Sequence, residues 1–225
     1  MAMYAVIWDL DGTLADSEEF HFAAWQEVLG RYGVEYRFES FIADFGRNNF
    51  EILSEHAPTL SRAMIAEISD VKEAVFRRLV RQGPLHLTPG AGEWLDYFRK
   101  HGVVQIIGSS APMANILTMV DELEIGDALA ALSGARIPRG KPDPMLFLRC
   151  AAALETPPHH CLVIEDSIHG IEAAKQAGMP SVAIGRLVRN PALAPYLSPA
   201  MKPRCVATPS LAQLSPISTA TYFSA

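Results

Sequence analysis

Beyond Leu87, short apolar runs alternate with amphipathic segments of about ten residues, and this alternation limits the fold more than any other feature of the chain. Residues 103–108, 128–132, 161–164 and 181–184 read as strands. Residues 91–100, 112–123, 144–154 and 167–177 read as helices, with Gly102 and Gly178 placed to stop two of them. A strand that reaches its neighbour through a helix runs parallel to it. The pattern therefore predicts an α/β fold, a doubly wound (Rossmann-like) parallel sheet with helices on both faces. Residues 4–8 supply a first strand and residues 204–207 a last one. Pro191, Pro195, Pro199 and Pro203 mark a loop-rich stretch, and residues 215–225 carry no pattern.

Between the first strand and Gly83 no strand candidate occurs. Phe22, Trp25, Val28, Leu29 and Tyr32 recur at helical spacing, from a helix start near Asp16 to a stop at Gly33. Two shorter segments follow, around Phe41 and Ile52, then a longer one through Ile65, Ile68, Val71, Val75 and Leu79. With 225 residues the chain has room for one domain carrying an insertion. The expected division is a core of residues 1–16 and 84–225, with residues 17–83 as a small α-helical domain inserted after the first strand.

Composition excludes several classes. A net charge of −6 gives no broad basic surface for nucleic acid or anionic lipid. No apolar run approaches the roughly 18 residues of a membrane span, and no leader is evident at the N-terminus. Cys150, Cys161 and Cys205 match neither a zinc spacing nor a disulfide framework. A reducing, cytoplasmic setting is expected.

The chemistry begins where the first strand ends, at Asp9-Leu10-Asp11-Gly12-Thr13. Open parallel sheets bind ligands at the carboxyl ends of their strands. In extended chain the side chains of Asp9 and Asp11 point the same way. Two carboxylates so close repel unless a cation intervenes, and Mg2+ takes oxygen ligands while leaving room for phosphate oxygens. Asp9 then suits a nucleophile attacking phosphorus, and Asp11 a general acid and base. Gly12 lets the backbone approach a phosphate, and Thr13 donates to it. The competing reading is a plain turn with Asp16 or Ser17 capping the next helix.

Three further strand ends carry related residues. Ser109 and Ser110 follow the second apolar strand: Ser109 could bind a phosphate oxygen, Ser110 could cap the helix behind Pro112, and Asn115 lies one turn on. Lys141, between Gly140 and Pro142, is a point charge on constrained backbone, or a solvated loop lysine. Glu165 and Asp166 end another strand, as metal ligands or, for Asp166 with Ser167, as a helix cap.

Taken in order, strand-DxDGT, strand-Ser, GKPDP and strand-ED resemble the haloacid dehalogenase superfamily of phosphotransferases, and the helical insertion resembles its small α-helical cap. The resemblance implies Asp9 as nucleophile, Asp11 as acid/base, Ser109 and Lys141 on the phosphoryl group, and a magnesium site of Asp9, Asp166, Glu165 and the Asp11 carbonyl. Within the superfamily the chain is most similar to the β-phosphoglucomutase-like branch. There His21 and Trp25 of the hinge segment, Gly46-Arg47 of the cap loop and Lys72 correspond to residues that meet the substrate. Mutases usually continue the cap arginine with a serine-leucine pair, whereas this chain reads Arg47-Asn48-Asn49. The resemblance therefore implies a magnesium-dependent phosphatase acting on a small phosphorylated metabolite, a sugar or polyol phosphate. The alternatives are a β-phosphoglucomutase and a non-catalytic metabolite-binding protein. A monomer or weak homo-oligomer is expected, with no nucleic-acid or membrane partner.

Overall fold

The computed structural model describes residues 4–126, 129–198 and 204–214. Six strands form one sheet: β1 (Ala5–Trp8), β2 (Val104–Ser109), β3 (Ala130–Ser133), β4 (Cys161–Glu165), β5 (Ser181–Ile184) and β6 (Cys205–Thr208). Their spatial order is β3-β2-β1-β4-β5-β6, and every pairing is parallel. The chain builds outward from β1 to one edge, then returns to β1's other side at β4. β1 is therefore where the winding reverses, and a crevice opens at its carboxyl end.

Both faces of the sheet are covered, which explains why its strands read as unbroken apolar runs. Val6 and Trp8 point into one cluster with Ile107, Leu162 and Ile164. Ala5 and Ile7 point into the other with Ile106 and Val163. The first face carries α5 (Ala91–Lys100) and α6 (Met113–Glu122), the second α7 (Met145–Ala153) and α8 (Ile168–Gln176). The indole hydrogen of Trp8, isolated by this burial, is donated to Gln105 at 2.9 Å, and Gln105 donates onward to the Leu95 carbonyl.

Between β1 and α5 the chain forms α1 (Glu18–Gly30), α2 (Phe38–Asp44), α3 (Asn49–His56) and α4 (Arg62–Gln82). Trp25, Val28 and Leu29 of α1 pack with Ile65, Ile68, Val75 and Phe76 of α4. α1 begins two residues later than expected because residues 15 and 16 are pinned as extended chain. Asp16 N–H donates to the His86 carbonyl and Thr88 N–H to that of Leu14. These two crossing strands tie the helical block to the sheet.

Elsewhere the differences are small. β3 begins at Ala130, and Ala128 lies outside the described residues, as do Pro199, Pro203 and residues 215–225. The proline-marked stretch is not plain loop: residues 185–189 and 191–197 form two 3-10 segments.

Candidate active site

Asp9, Ser109, Glu165 and Asp166 stand at the carboxyl ends of β1, β2 and β4, three adjacent strands. Asp9 N–H donates to the Ile164 carbonyl, so the sheet register itself sets Asp9 beside Glu165. Lys141 enters from the loop before α7. Its Nζ donates to Asp9 Oδ1 at 2.5 Å and Glu165 Oε2 at 2.7 Å. Glu165 Oε1 accepts from the Ser167 amide and hydroxyl, and the Ser167 hydroxyl caps α8 by accepting from Gly170 N–H. Gly170 has to be small: a Cβ there would lie 2.0 Å from the Glu165 carboxyl carbon.

Asp166 is not the helix cap. Its Oδ1 accepts from the Thr13 hydroxyl at 3.2 Å. Its other oxygen rests on Gly12, where a Cβ would come within 2.2 Å and φ is +78°. The turn glycine thus brings β1's loop against β4's second acid.

Asp9, Glu165 and Asp166 each offer an oxygen within 4.8 Å of the others'. One ammonium, Lys141, faces these three carboxyl groups, of which Asp9 and Glu165 are buried. Burial and the Glu165 carboxylate push Asp9 up to about 8, against the pull of Lys141. Burial, Glu165 and Asp9 likewise raise Asp166 well above the ordinary range. Lys141 is itself raised: burial opposes its charge, but Asp9 and Glu165 outweigh it. Crowded oxygens short of positive charge fit a hard divalent cation.

A pH effect with a definite sign follows. An unfolded Asp9 releases its proton near pH 4, while folded and metal-free it holds one up to about 8. Between these values the folded state carries the extra proton, so this group's contribution to stability falls as pH rises. Metal-free protein is expected to melt at a lower temperature at about pH 8 than at about pH 5 on this account, with millimolar magnesium removing the difference. Thermal unfolding at both pH values, with and without the ion, checks it. A magnesium shift unchanged in Asp166→Asn would assign the ion elsewhere.

The Asp11 side chain stands apart from the three-carboxyl group. Its Oδ1 accepts from the Ser17 hydroxyl at 2.7 Å and pairs with His21 Nε2 at 2.9 Å. His21 Nδ1 lies 2.8 Å from Lys72 Nζ. An ammonium can only donate, so Nδ1 accepts and Nε2 carries the proton given to Asp11. Phe76 stacks on the His21 ring at 3.9 Å and fixes its plane. Burial would raise Asp11, but His21, Ser17 and Lys72 outweigh it and hold the carboxyl below its ordinary value. Two aspartates two residues apart therefore have opposite proton affinities.

The remaining expected residues divide. Gly46 and Ser110 line the central cavity with Asp9, Asp11, Ser109, Lys141, Glu165, Asp166 and Ser167. The Ser109 hydroxyl accepts from Ala111 N–H. α6 has no side-chain cap, so Ser110 is not used that way, and neither Asp16 nor Ser17 caps α1. Trp25 is core, 2 % exposed, with its ring 5.2 Å from Lys72 Nζ. Arg47 is engaged within the helical block by Asp44 at 2.5 Å, Glu55 at 3.0 Å and Glu51 at 3.8 Å. Asn115 is buried against Glu73 and Arg77. Ser17, Ser167 and Glu73 were not anticipated. Ser17 was hidden by its plausibility as a cap, and Ser167 by the same reading, which is also true of it.

The cavity measures about 40 Å³, room for little more than one water. The helical block is closed down on the strand ends. A larger groove of about 310 Å³, between α5 and residues 211–214, contains none of these groups.

A family model for haloacid dehalogenase-like hydrolases matches residues 3–178. The chain is 30% identical over 192 residues to a β-phosphoglucomutase of Bacillus subtilis (strain 168), covering 82% of this chain and 84% of that one. It is 31% identical over 184 residues to a fructose-1-phosphate phosphatase of Escherichia coli (strain K12), covering 80% and 95%. Its fold matches that of a Clostridium difficile β-phosphoglucomutase structure with a TM-score of 0.84, at 22% identity over 98% and 97% of the two chains.

Proposed function

The chain belongs to the haloacid dehalogenase-like hydrolases, and from that premise we propose that it is a magnesium-dependent phosphatase of small sugar or polyol phosphates, working through an aspartyl-phosphate on Asp9. The observation that carries this reading is the split between its two aspartates. Asp9 faces Lys141 and the metal-competent acids, while Asp11 is held separately by Ser17 and His21. Paired carboxyls driven to different proton affinities take different roles.

Asp9 attacks phosphorus as a carboxylate. Lys141 and Ser109 hold phosphoryl oxygens. Asp9, Asp166, Glu165 and the Asp11 carbonyl would hold the magnesium ion, which when bound offsets the repulsion between these carboxylates and the phosphate. Asp11 gives a proton to the leaving oxygen. An arriving phosphate dianion raises its affinity for that proton. With the alcohol gone, Asp11 is the carboxylate that its neighbours favour, and it takes a proton from the water that attacks the aspartyl-phosphate. Inorganic phosphate leaves and Asp9 is restored.

Residues 17–83 act as the cap. A cavity of about 40 Å³ admits no sugar phosphate, so the cap opens for entry and closes for chemistry, shutting out bulk water. The kinship with a β-phosphoglucomutase supports a second reading, in which a sugar hydroxyl rather than water accepts the phosphoryl group.

A panel of phosphorylated sugars and polyols, assayed for released phosphate with and without magnesium, tests the proposal. Magnesium-dependent release from at least one monophosphate is expected. Conversion of β-glucose 1-phosphate to glucose 6-phosphate with little free phosphate would replace the phosphatase reading with the mutase.

A further inference from the structure

Glu73 is a charged side chain where charge is expensive. It lies on α4, 8 % exposed, at the seam between the helical block and α6. Its Oε1 accepts from Asn49 at 2.6 Å and Lys72 at 3.1 Å, and its Oε2 accepts from Asn115 at 2.5 Å. Burial alone would raise its proton affinity, but Lys72, His21, Asn49 and Asn115 outweigh it and keep the carboxyl ionised. Arg77 bonds the other end of the Asn115 amide at 2.7 Å, and Arg81 reaches Thr118 at 3.2 Å. No buried side-chain polar atom among the described residues lacks a partner. The buried ammonium of Lys72 accounts for one partner of this carboxylate; the amides of Asn49 and Asn115, which converge on it from the helical block and from α6, go beyond what that ion pair requires.

We infer that Glu73, Asn49 and Asn115 form the subsite for the far end of the substrate, and that this end is hydroxylated and uncharged. The inference rests on the phosphatase reading above and names its substrate class. A substrate whose phosphate sits on Asp9, with the cap closed over it, places its far end between α4 and α6, where the bond from Asn115 to Glu73 now stands. The groups it meets there are a carboxylate, two amides and Lys72, which is shared with His21 and so connected to Asp11. Neighbouring hydroxyls donate to the Glu73 carboxylate and accept from the freed Asn115 amide, replacing the bond between them. A second phosphate in the same place meets Glu73 charge against charge. The cap-loop cation that would otherwise take such a phosphate, Arg47, already faces Asp44, Glu51 and Glu55. The seam thus selects a monophosphate with a polyol or sugar tail over a bisphosphate.

The test compares kcat/KM of magnesium-loaded wild type, Glu73→Gln and Asn49→Ala on three substrates. These are a hexitol monophosphate, the matching bisphosphate, and phenyl phosphate, which has no hydroxylated tail. Wild type is expected to favour the monophosphate over the bisphosphate by roughly 100-fold. Glu73→Gln should narrow that ratio about tenfold or more. Both variants should lose about ten times more on the hexitol monophosphate than on phenyl phosphate. Asn49 bonds Glu73 within the cap and does not bridge to α6, so its loss separates substrate reading from cap closure. Equal losses on all three substrates would make Glu73 a clasp only and overturn the inference. So would a wild type that hydrolyses the bisphosphate as well as the monophosphate. Wild type inactive on every substrate, phenyl phosphate included, overturns the phosphatase reading itself.

Discussion

Asp9→Asn is expected to remove turnover, by roughly 10⁴-fold or more, while leaving the fold as stable as before or more so. The two effects have separate causes. An amide oxygen still accepts a hydrogen bond from Lys141, so the geometry at 2.5 Å can persist. It cannot attack phosphorus as a carboxylate does, and no neighbouring carboxyl is positioned to replace it. Glu165 is occupied by Lys141 and Ser167, and Asp166 by Thr13. Stability moves the other way because Asp9 is an acid that the buried site tolerates poorly as an anion. Burial and Glu165 push it up to about 8, and replacing it with a neutral isostere relieves that strain at neutral pH. Magnesium-saturated turnover and thermal unfolding of the same preparation check both halves. Turnover within about a hundredfold of wild type, with the fold intact, would take the nucleophilic role away from Asp9.

The sequence disclosed the sheet because its signal is dense and local. Strands buried on both faces leave apolar runs, and the carboxyl end of such a run is where parallel sheets carry polar function. Asp9, Ser109, Glu165 and Asp166 were legible for that reason. What stayed hidden depends on long-range geometry. Ser17 could be read as a cap, and nothing local reveals that its hydroxyl turns back to Asp11 instead. Lys72 falls on the apolar face of α4, four residues after Ile68 and four before Phe76, which marks it as buried. Its neighbour Glu73 could be placed only once α6 was seen beside α4, bringing Asn115 within 2.5 Å. Arg47 shows the reverse case. Its expected place on the substrate comes from the resemblance alone, while Glu51 and Glu55 lie one and two helical turns on, and the fold adds Asp44.

Lys141→Ala is expected to damage both stability and turnover, with the two losses responding differently to magnesium. Lys141 is the only ammonium bonded to Asp9 or Glu165 among the described residues. Removing it leaves buried carboxyls uncompensated, a change on the order of 3–5 kcal/mol. Its folded proton affinity is raised by those same acids. The stabilisation it gives is therefore complete below the ordinary lysine value of about 10.4, and is lost only as pH rises through the higher folded value. The comparison of variant with wild type is accordingly cleanest near neutrality. At about pH 5 the acids can protonate and the deficit shrinks, whereas at about pH 8 it is largest. Magnesium supplies charge to the same oxygens, so unfolding measured with the ion should show most of the stability recovered. Turnover should stay down by roughly 10²–10³-fold, because a diffusible ion on the carboxylates does not replace a donor fixed on the transferring phosphoryl group. A metal-free Lys141→Ala as stable as wild type at about pH 8 would mean that the three acids share protons well enough without the ammonium. Lys141 would then act on the phosphoryl group alone.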